Sequence, residues 1–193
     1  MRLLIVPAVL LAGIATFACT PTEEEDDGRR PGGEGEGEGE GEGEGEADCT
    51  VIAFEDVAGE ELGEDFASFT AIVAPNVGGS TPDLASIEFY KGTAFSPGSF
   101  DLTAEGNYAG CEICLRVGQD VEGAAVAKFY YQSQGTIGLS SDPLTGTLSA
   151  TLTGVKLVEV TIAAESFTST PVVGGACLSV PSATLEATAT AAP

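Results

Sequence analysis

Five cysteines, Cys19, Cys49, Cys111, Cys114 and Cys177, are the residues of this 193-residue chain best able to do chemistry, and there is no His to assist them. Without an imidazole there is no Ser-His-Asp or Cys-His arrangement, and the commonest zinc and haem ligand is missing. Cys111 and Cys114 enclose Glu112 and Ile113 in the spacing of a dithiol redox motif. Such a motif works at the start of a helix, where the dipole lowers the thiol pKa, whereas here it leads into a strand. A four-thiolate metal site would want a second close pair, which Cys49 and Cys177 do not supply. Two structural disulfides among Cys49, Cys111, Cys114 and Cys177 are therefore expected. Residues three apart on a strand lie about 10 Å apart at roughly 3.3 Å per residue. That exceeds the roughly 7 Å limit between bridged Cα atoms. Cys111 and Cys114 are thus each expected to pair with Cys49 or Cys177. A tight turn through Tyr108 to Cys114 would instead let Cys111 bond Cys114, leaving Cys49 and Cys177 to clasp the ends of the domain.

Other constellations are less specific. Glu55, Asp56, Glu60, Glu61, Glu64 and Asp65 place six acids within eleven residues, and calcium needs several oxygen ligands converging on one point. Asp120 and Glu122 could add ligands, but no Asp-x-Asp-x-Asp-Gly loop is present. A solvated acidic loop is the expectation, with no metal site. Carbohydrate recognition wants flat aromatic platforms, and Tyr90, Tyr108 and Tyr130 are the polar-facing candidates. Carboxylate pairs able to hydrolyse a glycoside are too plentiful to single one out. No catalytic residue, cofactor or enzymatic activity is expected.

Charge narrows the partners. The chain carries 30 acidic and 7 basic side chains, a net −23. From Cys49 onward, 17 acids against 4 bases still leave −13. Electrostatic attraction supplies most non-specific nucleic-acid affinity, so DNA and RNA are excluded as partners.

The elements that must carry these residues begin with an export signal over 1–18. Arg2 precedes the apolar stretch Leu3 to Ala18, whose 16 residues include Pro7. A bilayer crossing needs about 20 apolar residues, so this is a secretory signal and not a span. Residues 19–48 then form a linker with five acids before Gly28 and seven consecutive Gly-Glu dipeptides from Gly33 to Glu46. It has almost nothing apolar to bury against a backbone entropy cost of roughly 1–2 kcal/mol per residue, and its carboxylates repel one another. A disordered, extended spacer is expected.

Thr16-Phe17-Ala18-Cys19 resembles the lipobox of bacterial lipoproteins, in which the small residue before the Cys permits cleavage and the thiol takes a diacylglyceryl group. The resemblance implies lipid attachment at Cys19, which would leave four cysteines to pair. Ordinary export with cleavage after Ala18 is the alternative. Together with the Gly-Glu spacer, the segments Pro97 to Leu102, Asn107 to Cys114, Leu157 to Ile162 and Thr170 to Leu178 resemble lipoproteins of myxobacteria with a Gly-Glu repeat tether. The likeness covers residues 83 to 180. It implies a cell-envelope location, at the outer membrane or cell surface, and contact with a membrane through the lipid alone. It carries over no site and no activity.

Residues 49–193 read as strands. Leu148, Ala150 and Leu152 alternate with Thr147, Ser149, Thr151 and Thr153, the pattern of a half-buried strand. The same alternation turns Ile113, Leu115 and Val117 inward, then Ala127, Phe129 and Tyr131, then Val158, Val160 and Ile162, with Lys156 inward at a strand mouth. Cys49 to Phe54, Ala67 to Ala74, Leu84 to Tyr90, Gly98 to Leu102, Thr136 to Leu139, Ala176 to Val180 and Thr184 to Thr190 bring the total to about ten or eleven strands. Gly118 to Asp120, Ser133 to Gly135, Asp142-Pro143 and Gly174-Gly175 supply turns. Glu55 to Phe66, interrupted by Gly59 and Gly63, reads as a loop. The expected fold is all-β, an antiparallel sandwich or jelly-roll-like domain. The expected role is a lipid-anchored structural or interaction module, with a calcium- or glycan-binding module as the alternative.

Overall fold

The structure is a computed structural model that describes residues 48–90 and 94–190. The expected export signal, Cys19 with its expected lipid attachment, and nearly all of the expected linker lie outside those residues. The described chain forms ten strands: β1 (Thr50–Val51), β2 (Ala53–Leu62), β3 (Phe66–Ala74), β4 (Leu84–Tyr90), β5 (Gly98–Asp101), β6 (Ile113–Gln119), β7 (Lys128–Leu139), β8 (Thr147–Ile162), β9 (Ser169–Pro171) and β10 (Cys177–Thr188). Two 3-10 turns, Tyr108–Gly110 and Pro143–Thr145, are its helical elements.

All ten strands belong to one sheet in the order β1-β10-β8-β7-β6-β4-β3-β2, with β5 paired to β7 and β9 to β8. The fold is all-β, as the alternation requires. The sheet is mixed, because β1 runs parallel to β10 while the other pairs are antiparallel. β1 and β2 end the order on opposite sides, yet only Ile52 separates them in the chain. The sheet therefore curls until its end strands adjoin. Gly59 of β2 shows how closely: a Cβ there would sit 2.3 Å from the Ala189 Cα just beyond β10. Only glycine permits that backbone approach.

Gly59 also explains why Glu55 to Phe66 is not a loop. Most of it is strand β2, which pairs with β3 through two register shifts, and the reversal is confined to Gly63–Asp65, where the Gly63 N–H donates to the Phe66 carbonyl at 2.7 Å. The glycine that looks like a strand breaker is a packing requirement.

Ser133 to Gly135 likewise is no turn. β7 runs through it as one strand of 12 residues beside the 16-residue β8, with register shifts between Gln132 and Gln134 and between Gln134 and Thr136. Gly135 and Gly154 adopt positive φ at these bulges. Each extra residue reverses which side of the sheet the following side chains face. Leu148, Ala150 and Leu152 point inward as expected, but beyond Gly154 it is Val155 and Leu157 that enter the main core. Val158, Val160 and Ile162, with Lys156 in the same phase, fall on the outer face, as do Phe129 and Tyr131, while Tyr130 turns inward. The inward assignment of these two segments is therefore corrected by one residue, because the bulges shift the phase of the alternation.

Two apolar clusters result. The larger lies inside the curl and draws on β2, β3, β4, β6, β7, β8 and β10, with Phe69, Phe89, Leu115, Leu152, Leu157 and Leu178 among its fully buried members. Burying each such side chain stabilises the fold by about 1.5–3 kcal/mol. The smaller cluster, Cys111, Cys114, Tyr131 and Val160 with Tyr108, Phe129, Val158 and Ile162 against them, lies on the opposite face. The candidate site is built on this second cluster.

Candidate functional site

On the outer face, register places Tyr90 beside Phe66, Glu88 beside Ser68 and Cys114, and Arg116 between Ser86 and Tyr131. A loop then folds over them. Asn107 binds it to β9, donating from Nδ2 to the Ser169 carbonyl at 3.1 Å while its Oδ1 accepts from the Ser169 N–H at 3.3 Å. The Tyr108 N–H donates to Ser169 Oγ at 3.1 Å, and the Ala109 N–H to Asn107 Oδ1 at 3.0 Å. With the backbone held this way, the Tyr108 ring lies across the sheet.

Beneath that ring is Glu88, a carboxylate only 5% exposed. Its Oε1 accepts from Arg116 Nη2 at 2.8 Å and Nε at 3.3 Å, and its Oε2 accepts from the hydroxyls of Tyr108 at 2.9 Å and Tyr90 at 3.1 Å. The Arg116 guanidinium also stacks on the Tyr108 ring, 4.9 Å from its centroid. A buried charge persists only when it is paired and hydrogen-bonded, and Glu88 is both. Burial, then the neighbouring Glu88 charge, pushes the Tyr90 and Tyr108 phenols above their ordinary pKa. Burial likewise raises Tyr131, whose hydroxyl donates to the Glu105 carbonyl at 2.9 Å. These phenols stay protonated at neutral pH and act as donors.

Over this polar base opens a cavity of about 390 Å³ lined by Tyr90, Tyr108, Ala109, Cys111 and Phe167. Phe167 comes from the β8–β9 turn, which is closed by the Phe167 N–H donating to the Ala163 carbonyl at 2.8 Å. Its φ of +55° is a left-handed conformation that a bulky residue seldom adopts, and the residue is 56% exposed with its ring edge-on to Tyr108 at 6.2 Å. Such backbone strain costs on the order of 1–3 kcal/mol and persists only where its surroundings enforce it. The walls are thus three aromatic rings, with neutral hydroxyls and a self-neutralised ion pair behind them. That chemistry suits a neutral ligand with apolar faces and hydrogen-bonding edges.

The cysteines fall into the second of the two expected arrangements. Cys49 bonds Cys177 with Cα atoms 4.7 Å apart, and Cys111 bonds Cys114 with Cα atoms 5.6 Å apart. The pairing of Cys111 and Cys114 with the distant cysteines is therefore corrected. The strand-spacing argument fails because β6 begins only at Ile113, so Cys111 precedes the strand and follows the 3-10 turn. Cys111 consequently lines the cavity, and Cys114 lies fully buried beneath it.

Of the three tyrosines expected to offer platforms, Tyr90 and Tyr108 meet in the cavity. Tyr130 does not, being buried in the main core with its hydroxyl donating to Gln119 Oε1 at 3.0 Å. The acids of residues 55–65 lie exposed along β2 and its turn. Among the described residues, no three His, Cys, Asp or Glu side chains come together to hold a metal ion. Asp120 instead ties two loops together, accepting from the Gly79 N–H at 2.7 Å, while its own N–H donates to the buried Asp83 at 2.7 Å. Sequence reasoning missed Glu88, Arg116 and Phe167. The single charge in β4 is a signal for Glu88; nothing in the sequence brings Phe167 to Tyr108.

No family model, curated protein or solved structure matches this chain.

Proposed function

We propose that this chain is an exported, lipid-anchored carbohydrate-binding module, held at the cell envelope by Cys19 and the Gly-Glu spacer, whose aromatic cavity takes a neutral sugar. The observation that carries the proposal is the meeting of Tyr90, Tyr108 and Phe167 around one cavity above a neutralised Glu88–Arg116 pair. Sugar rings present C–H faces that pack on aromatic rings and hydroxyls that bond phenols and guanidinium groups. The lining carries no charge of its own, which favours a neutral ligand over an ionic one. Export and anchoring rest on the sequence alone, through the apolar stretch ending at Ala18 and the lipobox-like Thr16 to Cys19.

Binding has a built-in reporter. The chain has four tyrosines and no Trp, so its near-ultraviolet emission is tyrosine emission, and two of the four line the cavity. Titration with neutral oligosaccharides is expected to change that emission saturably, and Phe167→Ala, an exposed position, to weaken binding by about tenfold or more, as removal of an aromatic anchor does. No response across glucose, xylose and N-acetylglucosamine oligomers would sink the proposal. For the anchor, the intact mass of the native protein is expected to begin at Cys19 and include a diacylglyceryl group. A mass beginning at Cys19 without lipid would make the protein a secreted one.

A further inference from the structure

A second cavity of about 180 Å³ opens on the same outer face, lined among others by Thr70, Ser86, Arg116, Gly118, Val126 and Phe129. Its position relative to the first follows from strand geometry. Tyr90, Glu88 and Ser86 alternate on one face of β4, and register carries Ser86 to Thr70 on one side and to Arg116 on the other. Tyr90 and Ser86, four residues apart, are therefore separated by roughly 13 Å along the strand. Arg116 stands at the boundary. Its guanidinium lies 4.9 Å from the centre of the Tyr108 ring, which walls the first cavity, and the same side chain lines the second.

The arrangement of that side chain is specific. Nε and Nη2 are committed to Glu88 Oε1, while Nη1 makes no hydrogen bond among the described residues. Its side chain is 27% exposed, against 7% for Glu88. One edge of the guanidinium is thus fixed and the remaining donors are directed by a group that has little freedom left, the condition under which a hydrogen bond to a ligand costs least entropy. The second cavity shares an aromatic ring (Phe129) and neutral hydroxyls (Thr70 and Ser86) with the first and adds the aliphatic walls of Leu84, Val121 and Val126.

We infer that the two cavities are subsites of one groove that binds a chain of neutral sugars, with Arg116 donating to the chain where it passes from one subsite to the other. This rests on the carbohydrate proposal above and adds to it a ligand length and a second site. A monosaccharide can fill only one cavity, whereas an oligomer reaching across the roughly 13 Å between them engages both and gains affinity without a second loss of translational freedom.

The test is a length series on the full mature protein: glucose, xylose and N-acetylglucosamine with their β-1,4-linked oligomers of two, four and six units, followed by tyrosine emission and calorimetry. Affinity is expected to rise by about tenfold or more from the dimer to the hexamer of the preferred sugar. Ser86→Phe, which fills the second cavity, is expected to abolish that gain, so that the hexamer binds no more tightly than the dimer. Val126→Phe fills the same cavity from the other side and serves if Ser86→Phe lowers the melting temperature. Saturable binding of the dimer with no gain at greater length would overturn the groove and leave the carbohydrate proposal standing. No binding at any length, or binding of a proline-rich peptide in place of every sugar, would overturn both.

Discussion

The two disulfides of this domain use the same bond for opposite purposes. Cys49–Cys177 spans 128 residues and joins the segment entering the sheet to the last strand, beside the parallel pairing of Thr50 with Leu178. Cys111–Cys114 spans 3 residues and joins nothing that the chain does not already hold close. In the loop-closure account, the constraint placed on the unfolded chain is worth about 5 kcal/mol for the long bridge and about 1.5 kcal/mol for the short one. The long bridge thus acts on global stability. The short one acts on local shape, fixing the turn after Tyr108 so that Cys111 floors the cavity and Tyr108 walls it. Span here separates a bridge that constrains the unfolded chain from one that shapes a local turn.

The largest effect should come from removing the long bridge. Cys49→Ser with Cys177→Ser is expected to lower the melting temperature by about 10–15 °C, since a domain of this size loses about 3 °C per kcal/mol. Calorimetry checks this, and a loss equal to that of the short bridge would contradict the comparison. An intermediate effect is expected of Cys111→Ser with Cys114→Ser. The melting temperature should fall by only about 3–6 °C, while sugar binding, read by tyrosine emission, should weaken more than in the long-bridge variant at a temperature where both are folded.

The smallest effect sharpens the same contrast through pH. The folded-state pKa values of Tyr90, Tyr108 and Tyr131 are raised above the ordinary 10.0. The stability tied to them is fully present below about pH 10, where the unfolded phenols are still protonated, and is lost as pH rises toward the folded-state values. Urea midpoints are therefore expected to be insensitive to these groups up to about pH 9 and to decline above pH 10. In the short-bridge variant, tyrosinate absorbance should develop at lower pH than in the wild type, because the turn that seats Tyr108 over Glu88 is released. Identical alkaline titrations in the two proteins would show that the bridge does not seat that ring.

The outcome for particular segments shows where sequence reasoning succeeds. Alternation at Leu148, Ala150 and Leu152 and at Ile113, Leu115 and Val117 identifies both the strand and its inward face, because half-burial of a pleated strand has a period of two and nothing interrupts it there. The same reasoning finds the strands around Tyr131 and Val160 but assigns their faces wrongly, because Gly135, read as part of a turn, and Gly154, read as nothing special, both sit at bulges. A glycine's sequence neighbours do not say whether its freedom is used to reverse the chain, to add a residue to one strand or, at Gly59, to admit a second backbone. The site follows the same division. Tyr90 and Tyr108 are legible as polar-facing aromatics; their convergence with Phe167 and Glu88 is not, since it depends on strand register and on a loop that Asn107 ties to β9.

By itself the sequence determined the all-β class, the lack of any imidazole side chain among its 193 residues, and the use of four cysteines as two bridges. These depend on composition and on local periodicity, which act over a few residues and survive any arrangement in space. Only the tertiary structure decided which cysteine met which, which face of β7 and β8 was buried, and which aromatic rings shared a cavity. Those outcomes belong to pairings between residues as far apart as Asn107 and Ser169. They are fixed by the free energy of the whole curled sheet, to which no single segment holds the key.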